Sequence, residues 1–381
     1  MKNILCSILL LCFLSVSAQQ QDELIEDYSD KSLKWGIRTV SGKIITPPKY
    51  SFLSPLFNKK INKEGLSYFY SADRKKYGFV DKTGKEVIPA RYHRAYDFND
   101  GWAKVMLNDS TDCFIDKSGN EYFLNTDYDT CANYFHEGLL PVKKNGKWGF
   151  INKKSKLVIP YQYNAVGQFH EGLAAVSMNG KGKHDPDISF YSNYVGKWGF
   201  IDVTGKLVIP MSFDSRKNFK NGVCVVGKYP EQGRKIEKYG VIDKTGSTII
   251  PFVYAELDDA FADGLLKAAI LKTPPFIEQS WGFINLKNEW VAQPIYDYVE
   301  TFSEGIALVN MGSKGSISRA GGTWGFINTK GSLLFPMMSC ARIVGSGLTF
   351  KTKGFAEVHL KDYSQNEADF YKINLKGEKI K

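Results

Sequence analysis

The chain has 381 residues, a formal net charge of +10, 43% hydrophobic and 24% charged residues. That length and apolar content support a substantial core and exclude a disordered chain. Aromatics reach 14% beside 35 glycines, which favours many short strands and tight turns over helices.

Residues 1–18 read as a secretory signal peptide. Lys2 gives the basic start, Ile4 to Val16 the apolar run, and Val16-Ser17-Ala18 the cleavage site before Gln19. The run is too short to span a bilayer, and no later segment approaches the roughly 18 apolar residues of a transmembrane helix. A lipid anchor on Cys12 is the rival reading, and Leu11 stands where a small residue is wanted. The expected address is periplasmic or extracellular. Cleavage removes Cys6 and Cys12 and leaves Cys113, Cys131, Cys224 and Cys340. Four such scattered cysteines make neither a disulfide scaffold nor a C-x-x-C motif. Residues 19–33 read as an N-terminal linker.

Residues 34–381 read as one repeat domain, eight units plus a C-terminal half unit. The clearest copy runs Lys147-Trp148-Gly149-Phe150-Ile151-Asn152, Leu157-Val158-Ile159-Pro160, Tyr163, Phe169-His170-Glu171-Gly172 and Leu173-Ala174-Ala175-Val176. The aromatic-Gly pair recurs at Trp35-Gly36, Tyr77-Gly78, Trp148-Gly149, Trp198-Gly199, Tyr239-Gly240, Trp281-Gly282 and Trp324-Gly325. Asp112-Cys113 fills the slot in a degenerate copy, and Phe370-Tyr371 opens the half unit. Successive slots are 35 to 50 residues apart. Trp148 and Phe150 fall on one face of a strand and Ile151 on the other, so the sheet must be covered on both sides. Asp81-Lys82-Thr83-Gly84 and its equivalents are tight turns, and each Pro after Ile ends a strand by removing a ladder donor. Three or four such strands are too few to fold alone, so neighbouring units must stack.

These motifs resemble the WG-repeat family, tandem β-rich repeats of bacterial proteins named for their Trp-Gly dipeptide. The resemblance runs from about Trp35 to Lys376. It implies a structural or interaction repeat with no common catalytic site. The expected fold is all-β, a tandem array of short antiparallel units. A propeller-like form is favoured by unit length, and an open β-solenoid or curved array is the alternative.

Three constellations invite a chemical reading. Asp243-Lys244-Thr245-Gly246 and Asp81-Lys82-Thr83-Gly84 match the start of an ion-pump phosphorylation motif, but the slot also reads Asn328-Thr329-Lys330-Gly331, as a turn would. His136-Glu137 and His170-Glu171 occupy equivalent turns, where stacking would bring the imidazoles together. Other copies carry Asn99-Asp100 or Lys220-Asn221 there, which marks solvent-facing positions rather than metal ligands. Cys113 and Cys131 lie 18 residues apart in the degenerate copy. They are a candidate disulfide stapling it, against two free thiols. No P-loop, nucleophile-elbow, zincin or dinucleotide motif is present.

Insertions give the main functional hint. Between the Gly-Leu-Ala-x-Val strand and the next aromatic-Gly, the step is 6 residues at Val142 to Trp148 and 22 at Val176 to Trp198. The extra length always enters one hairpin, which places it on one rim. Lys183, His184, Asp185, Asp187 and Tyr191 of the longest insertion are the candidate binding residues. The expectation is a non-catalytic scaffold without cofactor or metal, binding another protein at the cell envelope. A carbohydrate or wall-polymer module is the alternative, and a propeller-type hydrolase a third reading. The dispersed lysines suggest a solvated face or an anionic envelope polymer rather than nucleic acid.

Overall fold

The computed structural model describes residues 24–39, 41–54, 64–125, 127–182, 186–187, 195–229, 237–258, 261–272, 278–312, 321–340, 342–344, 354–359 and 370–380. Among them are strands and turns and no helix. Nine small antiparallel sheets follow one another along the chain. The first has three strands, Leu24–Ser29, Lys34–Thr39 and Ile44–Tyr50, and the other eight have four each. The all-β tandem array read from the sequence is therefore the architecture, with sheets of the propeller-blade kind. Contacts divide the chain into two compact units, Met1–Phe123 with sheets one to three and Leu124–Lys381 with sheets four to nine.

The fourth and fifth sheets show the plan. The fourth contains Thr130–Cys131, Leu139–Lys144, Lys147–Asn152 and Leu157–Tyr163; the fifth contains Ala165–Val166, Leu173–Ser177, Trp198–Asp202 and Leu207–Phe213. A single residue, Asn164, joins one sheet to the next. The sequence repeat and the sheet are thus out of phase. Each Trp-Gly copy gives its first two strands to one sheet and its next two to the following sheet, so neighbours are linked covalently as well as by packing.

Two expectations are corrected by the structure. Cys131 opens the fourth sheet, while Cys113 lies in the third, in Asp112–Asp116. They belong to different sheets, and no disulfide joins them. Leu24–Ser29 is a strand paired with Lys34–Thr39, inside the segment read as a linker. Phe370–Ile373, the start of the C-terminal half unit, lies in the ninth sheet. It pairs with Ala356–His359 and Lys379–Ile380 and finishes a four-stranded ninth sheet.

The core lies between successive sheets, as the two-faced strands require. Phe150 and Trp148 of the fourth sheet cluster with Val166, Phe169, Val176 and Ile201 of the fifth. Phe200 and Trp198 of the fifth cluster with Phe219, Val226 and Ile242 of the sixth. The Phe side of each Trp-Gly strand thus receives the Ile that faces back from the next one. Edge-to-face ring pairs lock the contact at 5.0 Å in Phe150–Phe169 and Phe200–Phe219, and at 4.6 Å in Phe283–Phe302. Fully burying one such ring contributes about 1.5–3 kcal/mol.

Turn chemistry is equally regular. In the Phe-x-x-Gly turns both central residues have positive φ, 53° at Glu171 and 87° at Gly172. That is a two-residue primed turn, which matches the twist of the flanking strands. The Asp-x-x-Gly turns are closed by the aspartate itself. Asp243 Oδ1 accepts from Thr245 N–H at 2.8 Å, Thr245 Oγ1 at 2.6 Å and Ser247 N–H at 3.0 Å. Asp81 and Asp202 do the same, so the pump-like motif is a turn.

Candidate functional site

The hairpin between the second and third strands is where the sheets differ. In the fourth sheet it is tight, with Asn145 at φ 49° and Gly146 at φ 78°. In the fifth it opens after Ser177, and paired hydrogen bonds of 2.9 Å between Lys181 and Val195 hold its base. A cavity of about 410 Å³ sits against that base, lined by Asn179, Val195, Gly196, Lys197, Met211 and Asp214.

Asp214 is one of a set of corner residues that precede the first strand of a sheet. Each ties its own hairpin through the backbone and takes a lysine from the preceding one. Asp214 accepts from Tyr229 N–H at 3.0 Å and from Lys197 Nζ at 2.7 Å. Asp297 accepts from Gly312 N–H at 2.6 Å and Lys272 Nζ at 2.8 Å. Asn164 accepts from Lys147 Nζ at 2.6 Å and donates to Gly180 O at 3.0 Å. This network fixes the hairpin bases while their tips vary. Sequence reading missed it. The signal was present, since Asp129, Asn164, Asp214 and Asp297 occupy one repeat position.

The cavity combines a fixed ion pair with apolar surface. Val195 is 80% exposed, and Met178 in the same hairpin and Tyr229 in the next are also exposed. Below, Phe213 and Phe252 stack at 6.2 Å with Lys228 Nζ 4.9 and 4.8 Å from the two rings. Such a surface offers hydrogen bonds, one charge of each sign and apolar contact.

Of the rim candidates, Lys183, His184, Asp185 and Tyr191 lie outside the described residues. Asp187 is half-buried, and both its oxygens are engaged. Oδ2 accepts from Asn133 N–H at 2.7 Å and Oδ1 from Gln168 Nε2 at 2.5 Å. The insertion therefore turns in at Asp187 across the ends of the first strands of sheets four and five. The imidazoles of His136 and His170 do come together, with ring centroids 4.9 Å apart. Their neighbouring acids serve the turns instead. Gly172 N–H donates to Glu137 Oε2 at 2.8 Å, and Asn221 and Gly222 N–H donate to Glu171 at 2.6 and 2.8 Å. No cluster of three or more metal-ligating residues occurs among the described residues. Nor does any helix among them have the length and apolarity to cross a membrane.

Comparison with known proteins adds the following. The family described as WG containing repeat matches residues 77–109, 114–148, 148–181, 198–228, 239–271 and 281–314. The flanking copies at Trp35, Trp324 and Phe370 fall outside those segments, and the structure folds them into the first, eighth and ninth sheets. Among solved structures, one titled "Crystal structure of the eukaryotic initiation factor" is 11% identical, covers 94% of this chain and 95% of that one, and has a TM-score of 0.54. Kluyveromyces lactis Hsv2 is 8% identical with TM-score 0.34 over 82% of this chain and 94% of that one. BamB from Moraxella catarrhalis is 12% identical with TM-score 0.31 over 66% and 80%. The first likeness concerns the fold; the other two overlap too loosely to bear on it. No curated protein matches.

Proposed function

The chain belongs to the WG containing repeat family, and from that premise we propose that it is a non-catalytic binding scaffold whose variable hairpin rim engages a protein partner at the cell envelope. It is exported through residues 1–18 and acts in the periplasm or outside the cell. The observation that carries the reading is the division of labour in the hairpins. Their bases are tied by the corner residues, and the longest of them borders the cavity at Lys197 and Asp214. A repeat scaffold that holds its frame constant and varies one rim is built for recognition.

The test is capture from envelope extracts. Val195→Asp puts a charge on a side chain that is already solvent-facing, so the fold is kept and capture is expected to fall at least tenfold. Undiminished capture by that variant removes the rim from the proposal. A glycan array run beside it decides the class of partner: a specific glycan signal replaces the protein-binding reading with the carbohydrate one. N-terminal sequencing of exported protein is expected to begin at Gln19, and a lipidated Cys12 would overturn that start.

A further inference from the structure

In most sheets the second residue of the first strand is a core position. Leu53, Ala95, Val166, Leu257, Val299 and Ile343 fill it in six sheets, all apolar and buried, and half-buried Cys131 fills it in the fourth. The sixth sheet has Arg216 there, 8% exposed. A buried cation in a place the fold supplies with Val or Leu is costly unless something uses it.

The surroundings hold the guanidinium without neutralising it. Its Cζ lies 4.7 Å from the ring centroid of Trp198, in the fifth sheet. Nη1 donates to Asn218 Oδ1 at 3.0 Å, the one hydrogen-bond acceptor it has among the described residues. Nη2 lies against Gly167, just past the first strand of the fifth sheet, where a β-carbon would come within 2.8 Å of it. Glycine at 167 is thus what lets the guanidinium reach the edge of the fifth sheet. Burial pushes its pKa down to about 10, so it stays charged at neutral pH. A guanidinium carries five N–H donors in a planar fork shaped for an oxyanion.

We propose that Arg216 is the receptor for a single carboxylate of a small ligand, seated in the fork beside Gly167 at the edge of the fifth and sixth sheets. A carboxylate matches the fork in plane and charge. A dianion is disfavoured, because Gln168, the residue after Gly167, already holds the Asp187 carboxylate. This site is separate from the cavity at Lys197 and does not depend on the rim reading.

The test uses the purified full chain and sodium propionate as probe, at ionic strength matched with sodium chloride. Propionate is expected to raise Tm saturably above the chloride control, as mass action on the folded state requires. Arg216→Leu installs the residue found at position 257, and is expected to abolish that rise while melting higher than the parent in chloride. Arg216→Lys keeps the charge but loses the fork, and most of the rise with it; this variant decides the matter if the leucine variant does not fold. Equal response to propionate and chloride, a rise that survives Arg216→Leu, or a larger rise with sodium phosphate would each overturn the proposal.

Discussion

Gly149 lies directly against the carbonyl of Ile159: a β-carbon on Gly149 would come within 2.5 Å of that oxygen. The cause is a register shift between Lys147–Asn152 and Leu157–Tyr163, where Trp148 faces Tyr163 but Phe150 faces Ile159. The extra residues around Pro160 arch over the glycine, a bulge that the proline tolerates because its nitrogen needs no partner. Gly36, Gly78, Gly199, Gly240 and Gly282 meet backbone in the same way. Where the outer strand shrinks to Glu121–Tyr122, Cys113 replaces the glycine. The dipeptide and the Ile-Pro strand are therefore one device.

Gly149→Ala is expected to destabilise by about 1–3 kcal/mol or more, because the obstacle is backbone. Gly325→Ala is expected to cost less, since its nearest neighbours are the side-chain atoms Met337 Cγ at 2.9 Å and Leu333 Cδ2 at 3.1 Å. Denaturant midpoints of the two variants make the comparison; equal losses would refute the bulge argument.

Trp148 and Trp198 are 5% and 4% exposed and sit in successive inter-sheet clusters. Replacing either with Ala is expected to cost about 3–5 kcal/mol. Wild-type stability with loss of a ligand would make them binding residues instead.

Acid is expected to destabilise the protein through Glu171. Burial pushes its carboxyl up, but N–H donors of Gly222 and Asn221 and the Lys244 ammonium outweigh that and hold it below its ordinary value of 4.5. A group depressed on folding stabilises the protein above its unfolded pKa and loses that contribution as pH falls through the folded one. The loss therefore sets in below about pH 4.5. Unfolding midpoints measured from neutral pH downward should fall in that range, and Glu171→Gln should flatten the fall. An unchanged slope in the variant would assign the acid response elsewhere.

Thiol chemistry separates the cysteines. Burial pushes Cys113 up to about 12 and Cys340 up to about 11, so little thiolate is present at about pH 8. Native alkylation is expected to label half-buried Cys131 first, and Cys113 and Cys340 only on unfolding. Peptide mapping without reductant should recover Cys113 and Cys131 unlinked, and a bridged peptide would restore the stapled unit.

What the sequence determined by itself was everything local: alternation that makes strands, Asp-x-x-Gly and Phe-x-x-Gly turns, the aromatic-Gly period, and so an all-β repeat. Those signals sit within a few residues and survive in most copies because the copies face equivalent neighbours. The tertiary structure alone decided the phase of sheet against repeat, since hydrogen bonding chooses which hairpin a strand joins. It also completed the ninth sheet and assigned Cys113 and Cys131 to different sheets. It turned Glu171 from a solvated turn residue into an anchor for Gly222, 51 positions away. Arg216 carries no mark in the sequence that sets it apart from the other charges of a basic chain. Its burial against Trp198 comes from stacking two sheets, and no periodicity along one strand encodes which side chain the next sheet will cover.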